Sequence, residues 1–250
     1  MPGENGEKLT AVIVAGGSGR RMGADVPKQY LKLCGLPVLV HTLRAFACWD
    51  RLDEIVLVTA EDQMAYCRKE IIEKYDIPKI KAVVPGGRER CESVYCGLQA
   101  CPDADYVFIQ DAVRPFLTEE LLEKGWETVR RYGSAICGVP SKDTVKIVSG
   151  DGVVRDTPAR ETVWIVQTPQ IFSGSLIRSA YEKLTAAEGA AFGSSAGITD
   201  DAMVLERSGL APVHMFQGDY TNIKITTPDD MLTGEAILEK REKQKPPKCL

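Results

Sequence analysis

The sequence predicts an α/β fold with a mostly parallel sheet and helices on both of its faces. Short apolar runs typical of buried strands alternate with stretches of helical spacing, and a glycine-rich segment directly follows the first apolar run, 9–14. Repeated strand–helix–strand units imply parallel strands covered by helices. Because ligands of such sheets bind beyond the carboxyl ends of the strands, we expect a site at that edge.

Strands and helices alternate regularly along the first part of the chain. Apolar runs indicate strands at 9–14, 54–59, 81–84, 106–110 and 135–139, and helical spacing indicates helices at 38–49, 61–75, 92–101 and 118–132. The last helix has the clearest ends, because Thr118 is a favourable N-cap and Gly133 can adopt the left-handed conformation that ends a helix. Further along, Asp200 in the run 199–201 indicates the start of another helix.

The polar segment 141–163, here called the β-arm, interrupts this alternation. A turn at 149–152 separates the runs 145–148 and 153–155, and Asp-Gly between such runs indicates a β-hairpin. The residues alone leave open whether the β-arm is a decoration or an oligomerisation arm. We otherwise expect one domain over 1–250, with a mobile glycine-rich loop at 186–197 and a disordered tail at 241–250.

The composition narrows the class of protein. The chain of 250 residues has a net charge of -4 and a polar N-terminus, and it has no apolar run of membrane-spanning length. We therefore expect a cytoplasmic protein without a membrane or nucleic-acid partner. Its eight cysteines form no C-x-x-C pair and its two histidines lie far apart. This predicts reduced thiols, with no zinc site and no Ser-His or Cys-His nucleophile.

The segment 15–23, which reads A-G-G-S-G-R-R-M-G, indicates a binding site. Its glycines allow a tight turn in which consecutive N–H groups can hold phosphate oxygens. Asp25 is the single acid among four closely spaced cations, which are Arg20, Arg21, Lys28 and Lys32. On a chain with negative net charge, this local positive charge indicates an anionic ligand.

Two common phosphate-binding motifs do not fit this segment. No G-x-x-x-x-G-K-[ST] string occurs, which excludes a P-loop. The dinucleotide motif G-x-G-x-x-G would need glycine in place of Met22 and an acid about 20 residues further on. Residues 26–49 contain no acid. An ordinary glycine-rich turn with solvated arginines remains open on these residues alone.

Seven motifs in order give the chain a resemblance to the 2-C-methyl-D-erythritol 4-phosphate cytidylyltransferase family, over about residues 9 to 240. They include G-G-x-x-R-x-x-S-V and D-A-x-R-P, and they occupy 15–29, 86–94, 111–116, 139–146, 167–170, 199–202 and 222–230. The resemblance implies a Rossmann-like nucleotidyltransferase fold of the glycosyltransferase-A type. It also implies that CMP is transferred from CTP to a polyol phosphate, with release of pyrophosphate.

The resemblance assigns roles residue by residue. The implied catalytic residues are Arg21 and Lys28. The implied nucleotide-binding residues are Ala15, Gly16, Gly17, Gly19, Gly87, Arg90, Ser93 and Asp111. The implied residues for the polyol phosphate are Arg114, Thr144, Arg160 and Lys224. Mg²⁺ or another divalent cation is the implied cofactor, with Asp111 as a candidate ligand, and the β-arm is implied to hook onto the partner in a homodimer.

The residue chemistry agrees with this reaction. The attacking phosphate oxygen is ionised at pH 7, so the reaction needs charge neutralisation and positioning and does not need a strong base. Two alternatives stay open. Ribitol-5-phosphate cytidylyltransferase shares most of the motifs, although 142–146 and 157–160 favour methylerythritol phosphate. A catalytically silent nucleotide-binding regulator would not need both Arg21 and Lys28.

Overall fold

The structure is a computed structural model that describes residues 6–16, 26–189 and 197–244. Its strands are β1 (Leu9–Val14), β2 (Lys32–Leu33), β3 (Leu36–Pro37), β4 (Glu54–Thr59), β5 (Ile80–Pro85), β6 (Tyr106–Asp111), β7 (Ser134–Pro140), β8 (Ile147–Val148), β9 (Val154–Asp156), β10 (Trp164–Ser173) and β11 (Met215–Gln217). Its helices are α1 (Val38–Ala47), α2 (Met64–Tyr66), α3 (Arg90–Gln99), α4 (Glu119–Tyr132), α5 (Gly174–Glu188), α6 (Asp201–Ser208) and α7 (Pro228–Gln244).

A seven-stranded sheet forms the centre, in the order β11-β7-β10-β6-β1-β4-β5. β1 is parallel to β4 and β6, β4 is parallel to β5, and β11 is parallel to β7. β10 is antiparallel to both of its neighbours, because the chain returns from the β-arm into the sheet without a helical crossover. The predicted mostly parallel α/β fold is therefore confirmed.

Each face of the sheet has its own core, because successive strand residues point to opposite sides. On one face Leu9 and Ile13 of β1 pack with Phe46 of α1, and on the other Val12 packs with Leu98 of α3. A third, smaller cluster lies under α7 and contains Leu33, Val38, Val113, Phe116 and Ile225. The two main cores fix the ends of β1, β4, β5 and β6, where the predicted site residues follow.

Most predicted elements are confirmed within the described residues. The Thr118 hydroxyl accepts a hydrogen bond from the Leu121 amide at 3.3 Å, and Gly133 ends α4 at φ 78°. Asp200 caps α6 by accepting from the Met203 amide at 3.0 Å. In the β-arm, β8 and β9 pair antiparallel, as the hairpin prediction requires.

Three predicted segments differ most from the structure. The predicted helix 61–75 is regular α-helix over Met64–Tyr66 and continues as a π-helix over Cys67–Glu73. Residues 186–188 of the predicted loop belong to α5, and 241–244 of the predicted disordered tail belong to α7. The remaining residues of both segments, apart from 189 and 197, lie outside the described part. Across the described residues, no helix combines the length and apolar character needed to cross a membrane.

Candidate active site

A cavity of about 430 Å³ opens at the carboxyl ends of β1 and β6. This volume lies within the range of about 300–1,000 Å³ typical of small-molecule sites. The described lining consists of Val14, Ala15, Gly16, Lys28, Gln29, Gly87, Arg88, Glu89, Arg90, Ser93, Asp111, Ala112, Val113 and Lys224. The site therefore forms at the predicted edge of the sheet.

Backbone hydrogen bonds between neighbouring strands continue past the strand ends and fix the first residue after β1 and after β6. The Ala15 amide donates to the Val58 carbonyl at 2.7 Å, and the Ala112 amide donates to the Val14 carbonyl at 3.0 Å. The buried Gln29 side chain donates from Nε2 to the Ala15 carbonyl at 2.7 Å. This contact holds Lys28 beside the start of the glycine loop. The predicted residues Gly17, Gly19 and Arg21 lie outside the described residues.

Asp111 is the electrostatic centre of the cavity. It is 7% exposed, and its carboxylate contacts Arg90 Nε at 3.0 Å and Lys224 Nζ at 2.7 Å. Burial alone would raise its pKa, but the charges of Arg90 and Lys224 hold the pKa below its usual range. Asp111 is therefore ionised at neutral pH and orients two cations toward the cavity.

A second buried carboxylate, which the sequence reasoning missed, supports this arrangement. Asp201 is fully buried, and its Oδ2 lies 2.8 Å from Arg90 Nη2. Its Oδ1 accepts a hydrogen bond from the Tyr181 hydroxyl at 2.7 Å. Burial opposes a charged Arg90, but Asp201 and Asp111 raise its pKa above the usual value. The only sequence signal is the motif at 199–202, whose first three residues indicate the start of a helix.

The turn 86–89 before α3 is closed by Ser93. The Ser93 Oγ accepts from the Gly87 amide at 3.1 Å and donates to the Glu89 carbonyl at 3.1 Å. A Cβ on Gly86 would lie 2.6 Å from Ser93 Oγ, which explains why glycine is needed there. The N-cap of α3 is Glu89, which forms a capping box with Glu92. The implied nucleotide-binding role of Ser93 stays a prediction.

A smaller cavity of about 260 Å³ adjoins the first one. The two share Arg90, Asp111 and Lys224, and the second cavity also contains Arg114. Arg114 does not pair directly with Asp111. Its Nη1 donates to the Asn222 carbonyl at 2.9 Å, and its buried Nε lacks a hydrogen-bond partner among the described residues. Burial lowers the pKa of Arg114, so this guanidinium would gain from an anionic ligand.

Thr144 and Arg160 are brought together, but not to Asp111. The Arg160 Nη2 donates to the Thr144 Oγ1 at 3.0 Å, and both side chains are exposed on the β-arm. Neither residue belongs to the described lining of the two cavities. Within one chain, the predicted polyol-phosphate residues therefore fall into two groups.

The sheet order and the cation-lined cavity, together with the glycine-rich sequence that follows β1, define a Rossmann-like nucleotidyltransferase. A family model described as "IspD: 2-C-methyl-D-erythritol 4-phosphate cytidylyltransferase" matches residues 9–240. The chain belongs to this family, and it is a cytidylyltransferase. The resemblance inferred from the motifs is thus confirmed.

Individual relatives agree with the family match. Proteins with this family's name from Clostridium botulinum (strain Okra / Type B1) and Geotalea uraniireducens are 47% and 45% identical, and each alignment covers 93% of this chain and 98% or 97% of the relative. The crystal structure of 4-diphosphocytidyl-2C-methyl-D-erythritol synthase from Anaerococcus prevotii is 38% identical, with a TM-score of 0.80 over 94% of this chain and 97% of that chain. The Francisella tularensis enzyme is 28% identical, with a TM-score of 0.74 over 96% of this chain and 100% of that chain.

Proposed function

We propose that the Asp111 cavity transfers CMP from CTP to 2-C-methyl-D-erythritol 4-phosphate. The products are 4-diphosphocytidyl-2-C-methyl-D-erythritol and pyrophosphate, the former an isoprenoid precursor. Besides family membership, one observation carries the proposal: two adjoining cavities share the charged group of Arg90, Asp111 and Lys224. This arrangement offers one space for a nucleotide and one for a second phosphate-bearing substrate.

The reaction brings two anions together, and the cationic residues of the cavity reduce the repulsion between them. A phosphate oxygen of the polyol phosphate attacks the α-phosphorus of CTP, and the bond from that phosphorus to the pyrophosphate oxygen breaks. Lys28 lines the cavity, and we assign it with Arg21 to the negative charge that develops on the α-phosphate and the leaving group. No base is required, because the nucleophile is already ionised.

The nucleotide would occupy the larger cavity. Amides of the glycine loop, beginning with Gly16, would hold the phosphates. The Ala15 amide does not take the implied part in this contact, because it already donates to the Val58 carbonyl. The turn at Gly87 and the neighbouring Ser93 would contact the base. Asp111 would either accept hydrogen bonds from the ribose or hold the cation that accompanies the nucleotide. The smaller cavity would hold the acceptor phosphate between Arg114 and Lys224.

Magnesium enters this proposal as a partner of the nucleotide. Among the described residues, no group of three or more His, Cys, Asp or Glu side chains is arranged to hold a metal ion. Mg²⁺ commonly uses one or two carboxylates together with substrate phosphates. The donor set fits this second mode, with Asp111 as the protein ligand, directly or through water. When bound, the ion would neutralise charge on the phosphates.

Completion of the acceptor site would require a second copy of the chain. Arg160 sits on the exposed β-arm with Thr144, outside both cavities. Four apolar β-arm side chains are about half exposed, namely Ile147, Val148, Val153 and Val154. We propose a symmetric homodimer in which this apolar surface contacts the partner and Arg160 reaches the partner's acceptor site.

The test is pyrophosphate release with CTP and Mg²⁺. We expect much faster release with 2-C-methyl-D-erythritol 4-phosphate than with ribitol 5-phosphate. Equal or reversed preference would assign the chain to the ribitol reaction instead. CTP binding without pyrophosphate release from either acceptor would indicate a nucleotide-binding regulator. A Lys28→Ala preparation controls for contaminating activity.

A further inference from the structure

The C-terminal helix α7 lies back along the segment that carries Lys224. This segment, 219–227, is held by α7 at both of its ends. At one end the Asp230 Oδ2 accepts hydrogen bonds from the Thr226 amide, the Thr226 hydroxyl and the Thr227 amide, each at 2.7 Å. Burial opposes ionisation of Asp230, but these bonds hold its pKa below the usual range.

At the other end of the segment, Arg241 joins two loops of the site. Its Nη2 donates to the Thr221 Oγ1 and to the Phe116 carbonyl, both at 3.0 Å. Phe116 lies in the loop between β6, which ends at Asp111, and α4, and Arg114 lies in the same loop. Thr221 is itself fixed, because its amide and hydroxyl both donate to the Asp219 carboxylate.

Between these two ends, the segment is packed tightly against α7. Ile225 is fully buried in the cluster with Val113 and Phe116, and Ile237 of α7 packs against that cluster. The Ile225 amide also donates to the Val113 carbonyl at 2.8 Å. A Cβ on Gly234 of α7 would lie 2.9 Å from the Phe116 ring, so the helix approaches this loop closely.

The segment 219–227 contains one cation of the second cavity and contacts the other. Lys224 precedes the buried Ile225 and contacts Asp111, and the Asn222 carbonyl accepts from Arg114. Arg241 touches neither cavity, yet its guanidinium is partly buried, which lowers its pKa. Because the Arg241 guanidinium is partly buried and donates to two fixed acceptors, its role is structural and goes beyond keeping the surface soluble.

We infer that Arg241 is a positioning residue for the acceptor phosphate. It acts through Thr221 and Phe116 to set the distance between Lys224 and Arg114. The inference rests on the proposed function, in which these two cations bind the polyol phosphate. Lys224 lines both cavities, but most of the described lining of the nucleotide cavity comes from residues 14–16 and 87–93. Among the described residues, Arg241 donates to Phe116 and Thr221 and to none of these, so its larger effect falls on the acceptor.

Steady-state kinetics of Arg241→Met and Arg241→Lys would test this role. For Arg241→Met we expect the KM for 2-C-methyl-D-erythritol 4-phosphate to rise roughly tenfold or more, since small misplacements of binding groups have effects of this size. The KM for CTP should stay within about twofold. Arg241→Lys should recover part of the loss, because an ammonium can still donate to one of the acceptors.

Two further variants separate positioning from general destabilisation. Thr221→Val removes one acceptor of Arg241 and should give the same selective rise in acceptor KM, but smaller. Lys243→Ala is the control, because this exposed side chain on the same helix pairs only weakly with Glu239, at 3.9 Å. Equal changes in both KM values, or unfolding at a lower temperature with unchanged KM values, would overturn the inference.

Amide hydrogen exchange tests the structural part of the inference separately from the proposed function. If the wild-type protein transfers no CMP to the polyol phosphate, the proposed function fails. Even then, the contacts of Arg241 with Thr221 and Phe116 would predict faster amide exchange over 219–227 in Arg241→Met, with exchange over 86–90 unchanged. Unchanged exchange over 219–227 would mean that Arg241 does not position this segment.

Discussion

The Asp111 site and the β-arm differ in how completely a single chain builds them. Asp111, Arg90 and Asp201 come from three separate elements and are joined by close ion pairs in the interior. The β-arm instead exposes Arg160 and about half of each of several apolar side chains. Both regions contain residues with an implied role in one reaction.

The contrast between the Asp111 site and the β-arm indicates which half of the proposed site depends on a partner subunit. Buried charges are tolerated only when they are paired, so the Asp111 group must be complete within the chain. An exposed hairpin has no such requirement and can keep its cation outside the site until another surface covers it. In the proposed site, the nucleotide half is therefore self-contained and the acceptor half is shared between subunits.

The largest expected effect belongs to the self-contained half. Lys28→Ala and Arg21→Ala should each lower kcat by roughly two to four orders of magnitude, the scale of a lost preorganised electrostatic contact. Thermal unfolding of Lys28→Ala should stay close to that of the wild type. Lys69→Ala, which removes an exposed lysine on another helix, is the matched control. More than about a tenth of wild-type kcat would remove that residue from the catalytic set.

Disruption of the Asp201 ion pair should affect stability more than any β-arm substitution does. Asp201→Ala leaves Arg90 with one carboxylate fewer and frees the Tyr181 hydroxyl. We expect the free energy of unfolding to fall by about 3–5 kcal/mol, as for other broken buried pairs. Asp201→Asn should cost less because it can still accept from Tyr181. Urea unfolding measures the difference, and the exposed Asp62→Ala is the control. A loss below about 1 kcal/mol for Asp201→Ala, the size of an ordinary surface change, would contradict the account.

Asp111 should couple stability to acid pH. The cations around it hold its folded-state pKa below its usual range, and the unfolded value is about 3.9. Its contribution to stability is therefore present above about pH 3.9 and is lost as the pH falls toward the folded-state pKa. The difference in free energy of unfolding between the wild type and Asp111→Asn should shrink between pH 7 and pH 3. A pH-independent difference would show that Asp111 is not held ionised by its neighbours.

The smallest expected effect on chain stability belongs to the β-arm. Val148→Thr and Val154→Thr alter side chains that are about half exposed. We expect the free energy of unfolding measured under monomeric conditions to change by about 0.5 kcal/mol or less. The dimer dissociation constant should rise, because these side chains would lose apolar contact with the partner. Sedimentation at several concentrations measures that constant, and unchanged assembly would remove the β-arm from the interface.

Local signals predicted the fold and the centre of the site. The strands β1, β4, β5, β6 and β7 are apolar runs. Asp111 is the polar residue that ends β6, so its position follows from parallel-sheet geometry. The Asp201 pair could not be predicted in this way, because α6 is brought to Arg90 by tertiary contacts, which include packing against α5 and hydrogen bonds from its first amides to Gln170 of β10. The contacts of Arg241 could not be predicted either. The C-terminal end of the sequence is highly charged, and the two acceptors of Arg241 lie on loops that are distant in sequence.

The central claim is that the acceptor site is shared between two chains, and subunit mixing tests it most directly. Arg160→Ala and Lys28→Ala homodimers should each be nearly inactive. In a mixed dimer with a swapped β-arm, one site keeps both residues and the other loses both. We therefore predict recovery of about half of wild-type activity per mixed dimer. Confirmed subunit exchange without any recovery would mean that Arg160 acts in its own subunit, and the shared-site account would be contradicted.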